Sequence, residues 1–238
     1  MRSFIAGILL FALTPFAFAD AFEAECEATL PKADIQVVAQ KVEPEVDFSK
    51  SFLEITRNAN SSLESSQFAM GVTLTDLARD IRTDFHAKKA LMGRLCVRAK
   101  LRVTLSYAPM RVYIAKEFGE QSCYAQEIYL HEMHHVRVYE SFLRRYAVRL
   151  QDLLVGAIGQ DVYYFDNEDA ARTTLQTVVD SQLTILLNRS IQDINEAQRR
   201  VDSDIEIERL GRACPLEREK VRKLGAAFNR QKNWEKAE

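Results

Sequence analysis

The clearest alternation of apolar and polar positions runs from Cys96 to Leu105. Val97, Ala99, Leu101, Val103 and Leu105 fall on one side, and Arg98, Lys100, Arg102 and Thr104 on the other. That is the period of two of a half-buried strand. Tyr107-Ala108-Pro109-Met110 then reads as a turn and Arg111 to Ala115 as a second strand, so the pair predicts an antiparallel hairpin. Lys116 to Gln121, with Gly119, is a loop, and Ser122 is placed to cap a helix.

From Cys123 the period lengthens. Ile128, Val136, Tyr139, Phe142, Leu143, Tyr146 and Leu150 form one stripe, which predicts a helix to about Leu154 that ends at Gly156 or Gly159. A connector, Asp161 to Asp169, is rich in acids and aromatics, and Asp166 or Asn167 can cap a second helix from Asp169 to about Leu210. Leu175, Val179, Leu183, Leu186, Ile191, Ile194, Val201 and Ile205 mark its buried face. The upstream part is less regular. Ile35 to Ala39 reads as a short strand, Phe52 to Met70 has no clean period, and Asn58 to Ser62 is loop-like. Leu77, Ile81 and Phe85, inside Leu74 to Met92, suggest a helix or a long excursion around a sheet edge. After Cys214-Pro215 the tail alternates charges of both signs, as an exposed helix does. The fold class is therefore α+β and predominantly helical: a small antiparallel sheet packed on the first long helix, followed by the second.

Composition narrows this further. A chain of 238 residues, 47% of them hydrophobic, suits one compact domain with a real core, and only 8 Gly and 5 Pro agree with long helices. A net charge of −2 argues against a nucleic-acid partner. Arg2, the apolar run Phe4 to Phe16 and the small-x-small triplet Ala17-Phe18-Ala19 form a secretion signal over residues 1–19, too short for a comfortable membrane span. The expected organisation is a signal peptide (1–19), one domain (20–214) and a charged helical tail (215–238), with a periplasmic or secreted location and no stable membrane span once the signal is removed. In that compartment Cys26, Cys96, Cys123 and Cys214 should form disulfides, and their spacing resembles no clustered C-x-x-C zinc site. Of the three connectivities, Cys96–Cys123 with Cys26–Cys214 is favoured: one bridge ties a strand start to the helix head, the other clamps the chain ends.

The first long helix contains His131-Glu132-Met133-His134-His135, an H-E-x-x-H match. Four residues are close to one helical turn, so His131 and His135 project from one face and can reach one Zn²⁺. Glu132 lies about 100° round the helix, where a carboxylate can act as a general base. His134 points away from that line and reads as a surface or outer residue. Two histidines need a third protein ligand. No histidine follows His135, so the H-E-x-x-H-x-x-G-x-x-H continuation is excluded. A downstream carboxylate would give a His₂-carboxylate, thermolysin-like set, and His86 is the upstream option. Glu140, five residues past His135, has rotated off the metal face.

Asn167-Glu168-Asp169-Ala170-Ala171 resembles the N-E-x-x-A segment by which the gluzincin class of zinc peptidases delivers a glutamate, which makes Glu168 the candidate third ligand, with Asp166 and Asp169 as substitutes. More widely, the run Gly93 to Val138 resembles predicted secreted zinc-dependent proteases of bacteria. The resemblance is carried by Cys96-Val97, Leu101 to Leu105, Val112-Tyr113-Ile114-Ala115, Ser122-Cys123 and the H-E-x-x-H itself. It covers about a fifth of the chain. The resemblance implies an exported zinc metallopeptidase with metal ligands His131, His135 and Glu168 and catalytic Glu132. It further implies that Arg111 to Ala115 is the sheet edge that takes an extended peptide or protein substrate, peptidoglycan peptides included. Tyr163 or Tyr164 is the candidate oxyanion donor, by its closeness to Glu168. The competing reading is a non-enzymatic, disulfide-clamped helical envelope protein whose histidine cluster is structural or incidental.

Overall fold

The computed structural model describes residues 16–59, 68–89 and 93–235, with side chains over 21–59, 68–89 and 93–230. Most of the expected signal, the Asn60-Ser61-Ser62 part of the expected loop and Ala90 to Met92 lie outside the described residues. The elements, in chain order, are α1 (Phe16–Thr29), β1 (Asp34–Ala39), β2 (Glu45–Asp47), α2 (Phe52–Ala59), β3 (Gly71–Lys89), β4 (Leu95–Ile114), α3 (Cys123–Ile158), β5 (Tyr163–Phe165), α4 (Glu168–Val201), α5 (Asp204–Ala213) and α6 (Arg218–Glu235). The fold is α+β and predominantly helical, with one sheet and two long helices. No helix among the described residues is long and apolar enough to cross a membrane.

The sheet is built on β4. Its alternation puts Val97, Ala99, Leu101, Val103 and Leu105 in the core, as the period of two requires. One side of β4 carries β3 antiparallel along its whole length. The other side carries β5 antiparallel at Leu95–Val97, then β1 parallel at Lys100–Leu105 and β2 parallel at Arg111–Tyr113. The expected hairpin turn at Tyr107 to Met110 is absent. Here β4 continues, and the pairing with β3 slips between Thr75 and Leu77, opposite Ala108-Pro109. Proline removes a ladder donor without having to reverse the chain, and an extra residue on one strand absorbs the interruption. Arg111 to Ala115 is therefore not a sheet edge: Arg111, Val112 and Tyr113 have β2 on one side and β3 on the other.

The hairpin partner is instead β3, 19 residues long, over the stretch where a helix was one expectation. The spacing of four between Leu77, Ile81 and Phe85 fits a helical turn and is also two strand repeats, so it cannot separate the periods. In the structure these residues share one face of β3 with Arg79 and Thr83, opposite buried positions of β4.

Ser122 caps α3, its side chain accepting from the Ala125 N–H at 3.0 Å, and α3 ends at Gly159. On this helix Ile128, Val136, Leu143, Leu150 and Leu154 are buried. Asn167 caps α4 through the Ala170 N–H. The second helix does not run through to Leu210; it breaks at Asp202-Ser203, and α5 follows. The tail helix α6 is not wholly free, because Val221, Leu224 and Phe228 pack on the core and Phe228 lies 5.9 Å from Phe68.

The disulfides are Cys26–Cys96 and Cys123–Cys214. The expected pairing, Cys96–Cys123 and Cys26–Cys214, is replaced because Cys96 and Cys123 lie near opposite ends of β4, the chain reaching α3 only after running the strand's full length. One bridge instead ties α1 to the start of β4, and the other ties the end of α5 to the head of α3. Peptide mapping without reduction should recover these two pairs and no free thiol. Replacing Cys123 and Cys214 together by serine should cost about 4 kcal/mol, read by denaturant titration, since the bridge closes a loop of 91 residues.

Candidate metal centre

The sheet and α4 hold α3 between them, so the helix has one face toward β3 and β4 and another toward α4. His131 and His135 lie on the α4 side, Glu132 on the sheet side. The end of α4 meets the start of α3, so the two run antiparallel, and the break after Val201 delivers Asp202 to the two imidazoles. His131 Nε2 lies 3.3 Å from His135 Nε2 and 3.2 Å from Asp202 Oδ1, and His135 Nε2 lies 3.1 Å from the same oxygen. In a tetrahedral site with bonds of 2.0–2.1 Å, neighbouring donors are about 3.3–3.4 Å apart. The triangle is one face of such a tetrahedron, drawn slightly tight.

The far side of each imidazole fixes its tautomer. His135 Nδ1 donates to Gln198 Oε1 at 2.6 Å. His131 Nδ1 faces Glu206 Oε1 at 3.4 Å, and Glu206 is held by Arg209, which also binds Glu127 on α3. With the Nδ1 protons committed outward, both Nε2 lone pairs face Asp202, the arrangement of a metal-ligating histidine with its supporting acceptors. Among the described residues His131, His135 and Asp202 form the one group able to hold a metal ion, consistent with an H-E-x-x-H zinc site.

The protonation of the metal-free site follows from the same contacts. Burial alone would lower the His135 pKa, but the Asp202, Glu132 and Gln198 contacts outweigh it and push it up to about 9. Burial would raise Asp202, and its bonds to His131 and His135 overcome that, holding it well below the usual carboxylate range. Burial pushes the Glu132 carboxyl up, against the pull of His135 and His131. Glu132 is 3% exposed and accepts from the Thr73 hydroxyl at 2.7 Å. His134 is exposed and outside the trio, with its pKa lowered by partial burial and Arg137.

The residue missing from the sequence reading is Asp202, and the one placed elsewhere is Glu168. Glu168 sits in the first turn of α4, paired with Lys89 at 2.9 Å. The 34 residues of α4 put it about 50 Å from the Asp202 end. Asp166 and Asp169 flank it there. His86 is on β3 opposite Arg98, about 40 Å along the strand from Thr73. Glu140 pairs with Lys41. Tyr163 donates to the Ala157 carbonyl and Tyr164 packs on Phe22, both at the far end of α3. A sequence signal for Asp202 existed. Ser203-Asp204-Ile205-Glu206 has the S-x-x-E form of a helix start, which would have ended the second helix before Ser203 and not at Leu210. In the structure Ser203 makes no side-chain cap bond, and Glu206 is turned to His131 and Arg209.

Asp202→Ala should abolish zinc retention through dialysis, whereas Glu168→Ala should keep it. Folding raises the His135 pKa, so its proton stabilises the metal-free protein fully below about pH 6.5 and no longer does so once pH has passed about 9. Zinc competes with that proton, so its affinity should climb with pH and level off near 9, and uptake at neutral pH should release a proton to a pH indicator.

Comparison with protein-family models, with curated proteins and with solved structures finds no match.

Proposed function

We propose that this chain is an exported zinc metallopeptidase in which His131, His135 and Asp202 hold the metal and Glu132 is the general base. The convergence of two Nε2 atoms and one carboxylate oxygen, beside a buried Glu132, is the observation that supports it. When bound, zinc supplies Lewis acidity toward a carbonyl oxygen and toward water. The chain supplies the rest. Burial raises the proton affinity of Glu132, which suits it to take a proton from the attacking water and return it to the departing amine. Glu168 has no part in this reading, nor do Tyr163 and Tyr164.

The substrate path follows from the sheet. Among the described residues β3 has β4 on one side only, and its first residues lie against Glu132. Farther along, Arg172 of α4 donates to the Thr83 carbonyl and Asp180 pairs with Arg79. From Gly71 to Asp76, among the described residues, no side chain bonds to the strand backbone. An extended peptide can add there as a further strand, passing the metal site. The substrate class is a peptide or protein, peptidoglycan peptides included. Residues 1–19 serve as the export signal, which places the disulfides in an oxidising compartment.

The reading as a helical envelope protein with structural metal fits less well. Structural zinc takes four protein ligands in a closed site. Among the described residues three donors converge here, and the Asp202 side chain is 44% exposed, which leaves the cluster accessible on one side.

Glu132→Gln should fold, keep its zinc and lose about 10²–10⁴-fold in peptide hydrolysis. His131→Ala should lose both metal and activity. The check is bound zinc and cleavage of a peptide library by wild type and both variants; equal cleavage by wild type and Glu132→Gln would end the proposal.

A further inference from the structure

Glu132 is buried, yet the only hydrogen-bond donor to its carboxylate among the described residues is the Thr73 hydroxyl, at 2.7 Å from Oε2. The same hydroxyl lies 3.3 Å from the Glu132 main-chain carbonyl, so one side chain touches the residue at both ends. Two positions earlier on the same face of β3 is Gly71. A Cβ there would stand 2.7 Å from Glu132 Oε1 and 2.5 Å from Ile128 Cγ2, closer than side chains approach. The conformation of Gly71 is ordinary extended strand; it is the absence of a side chain that the Glu132 carboxylate needs.

We infer that Gly71 and Thr73 form the seat of the general base, so that the sheet edge offered to the substrate also sets where the base stands. Gly71 provides the room and Thr73 provides the hold; both are positioning residues. The backbone of Thr73 belongs to the segment of β3 open to an added strand, while its side chain reaches in to Glu132. Docking of a peptide on that edge therefore fixes the strand that fixes the base. The catalytic part of this inference rests on the peptidase reading; the seat itself does not.

Two measurements decide it. In a melting-temperature cycle on the purified protein, with or without added zinc, Thr73→Val should lower the wild-type midpoint by about 5 °C, because it leaves a buried carboxylate without its donor. In a Glu132→Leu background it should change the midpoint little. Equal drops in the two backgrounds would overturn the seat. In the peptide assay Thr73→Val should lower kcat about 10²-fold with KM unchanged, Thr73→Ser should restore most of it, and Gly71→Ala should lower kcat while zinc is retained. Full kcat in Thr73→Val, or no rescue by serine, would remove the positioning role. If wild type cleaves no peptide, the peptidase reading fails by itself and the melting cycle still decides the seat.

Discussion

Two imidazole lone pairs and a carboxylate oxygen within 3.3 Å of one another repel unless something positive stands among them. The requirement is sharp because His131 is 8% exposed and little water reaches it. In the metal-free protein the positive charge is a proton, which is why His135 holds one to about pH 9. A zinc ion would supply that charge to the same three atoms and leave a position open. The surrounding contacts all serve this arrangement: Gln198 and Glu206 turn the imidazoles, and Arg209 braces Glu206 against Glu127 on α3.

The same helix has to satisfy two neighbours at once. Its sheet-facing stripe, with Ile128, Val136, Leu143 and Leu150, is closed by the core, and this leaves Glu132 in an apolar setting. Its other face is met by α4, where Leu175, Val179, Leu183, Leu186 and Ile194 are buried. The break at Asp202-Ser203 takes the chain out of helical geometry within a few residues of Gln198. Asp202 is thereby brought to the two imidazoles, and the next helix carries Glu206 back over His131.

Local signals in the sequence carried a good part of this. The strand period around Val97 to Leu105, the Ser122 cap, the Gly159 stop, the Asn167 cap and the pairing of His131 with His135 on one face all depend on a few adjacent residues, and all stand in the structure. What was not legible depends on long-range placement. Leu77, Ile81 and Phe85 carry a spacing common to both helix and strand. Val201 and Ile205 continue an apolar stripe across Asp202, so periodicity ran through the break. Glu168 lies within a short motif-like segment, but the length of α4 carries it to the wrong end of the molecule. Cysteine pairing is set by which chain ends meet, and no spacing in the sequence contains that.

The Cys123–Cys214 bridge encloses every donor of the centre, with His131 just inside one end and Asp202 just inside the other. The long excursion between them is closed by sulfur chemistry, with no metal needed to gather the two ends. A metal ion would then meet donors already gathered, and its binding energy would go into affinity instead of into ordering the chain. Chelation should leave behind a folded protein with these donors still gathered, so that oxidation would come first and metal second. A chain held in a reducing environment would have its ligands on two loosely tethered segments, and would arrive at its metal late and hold it weakly.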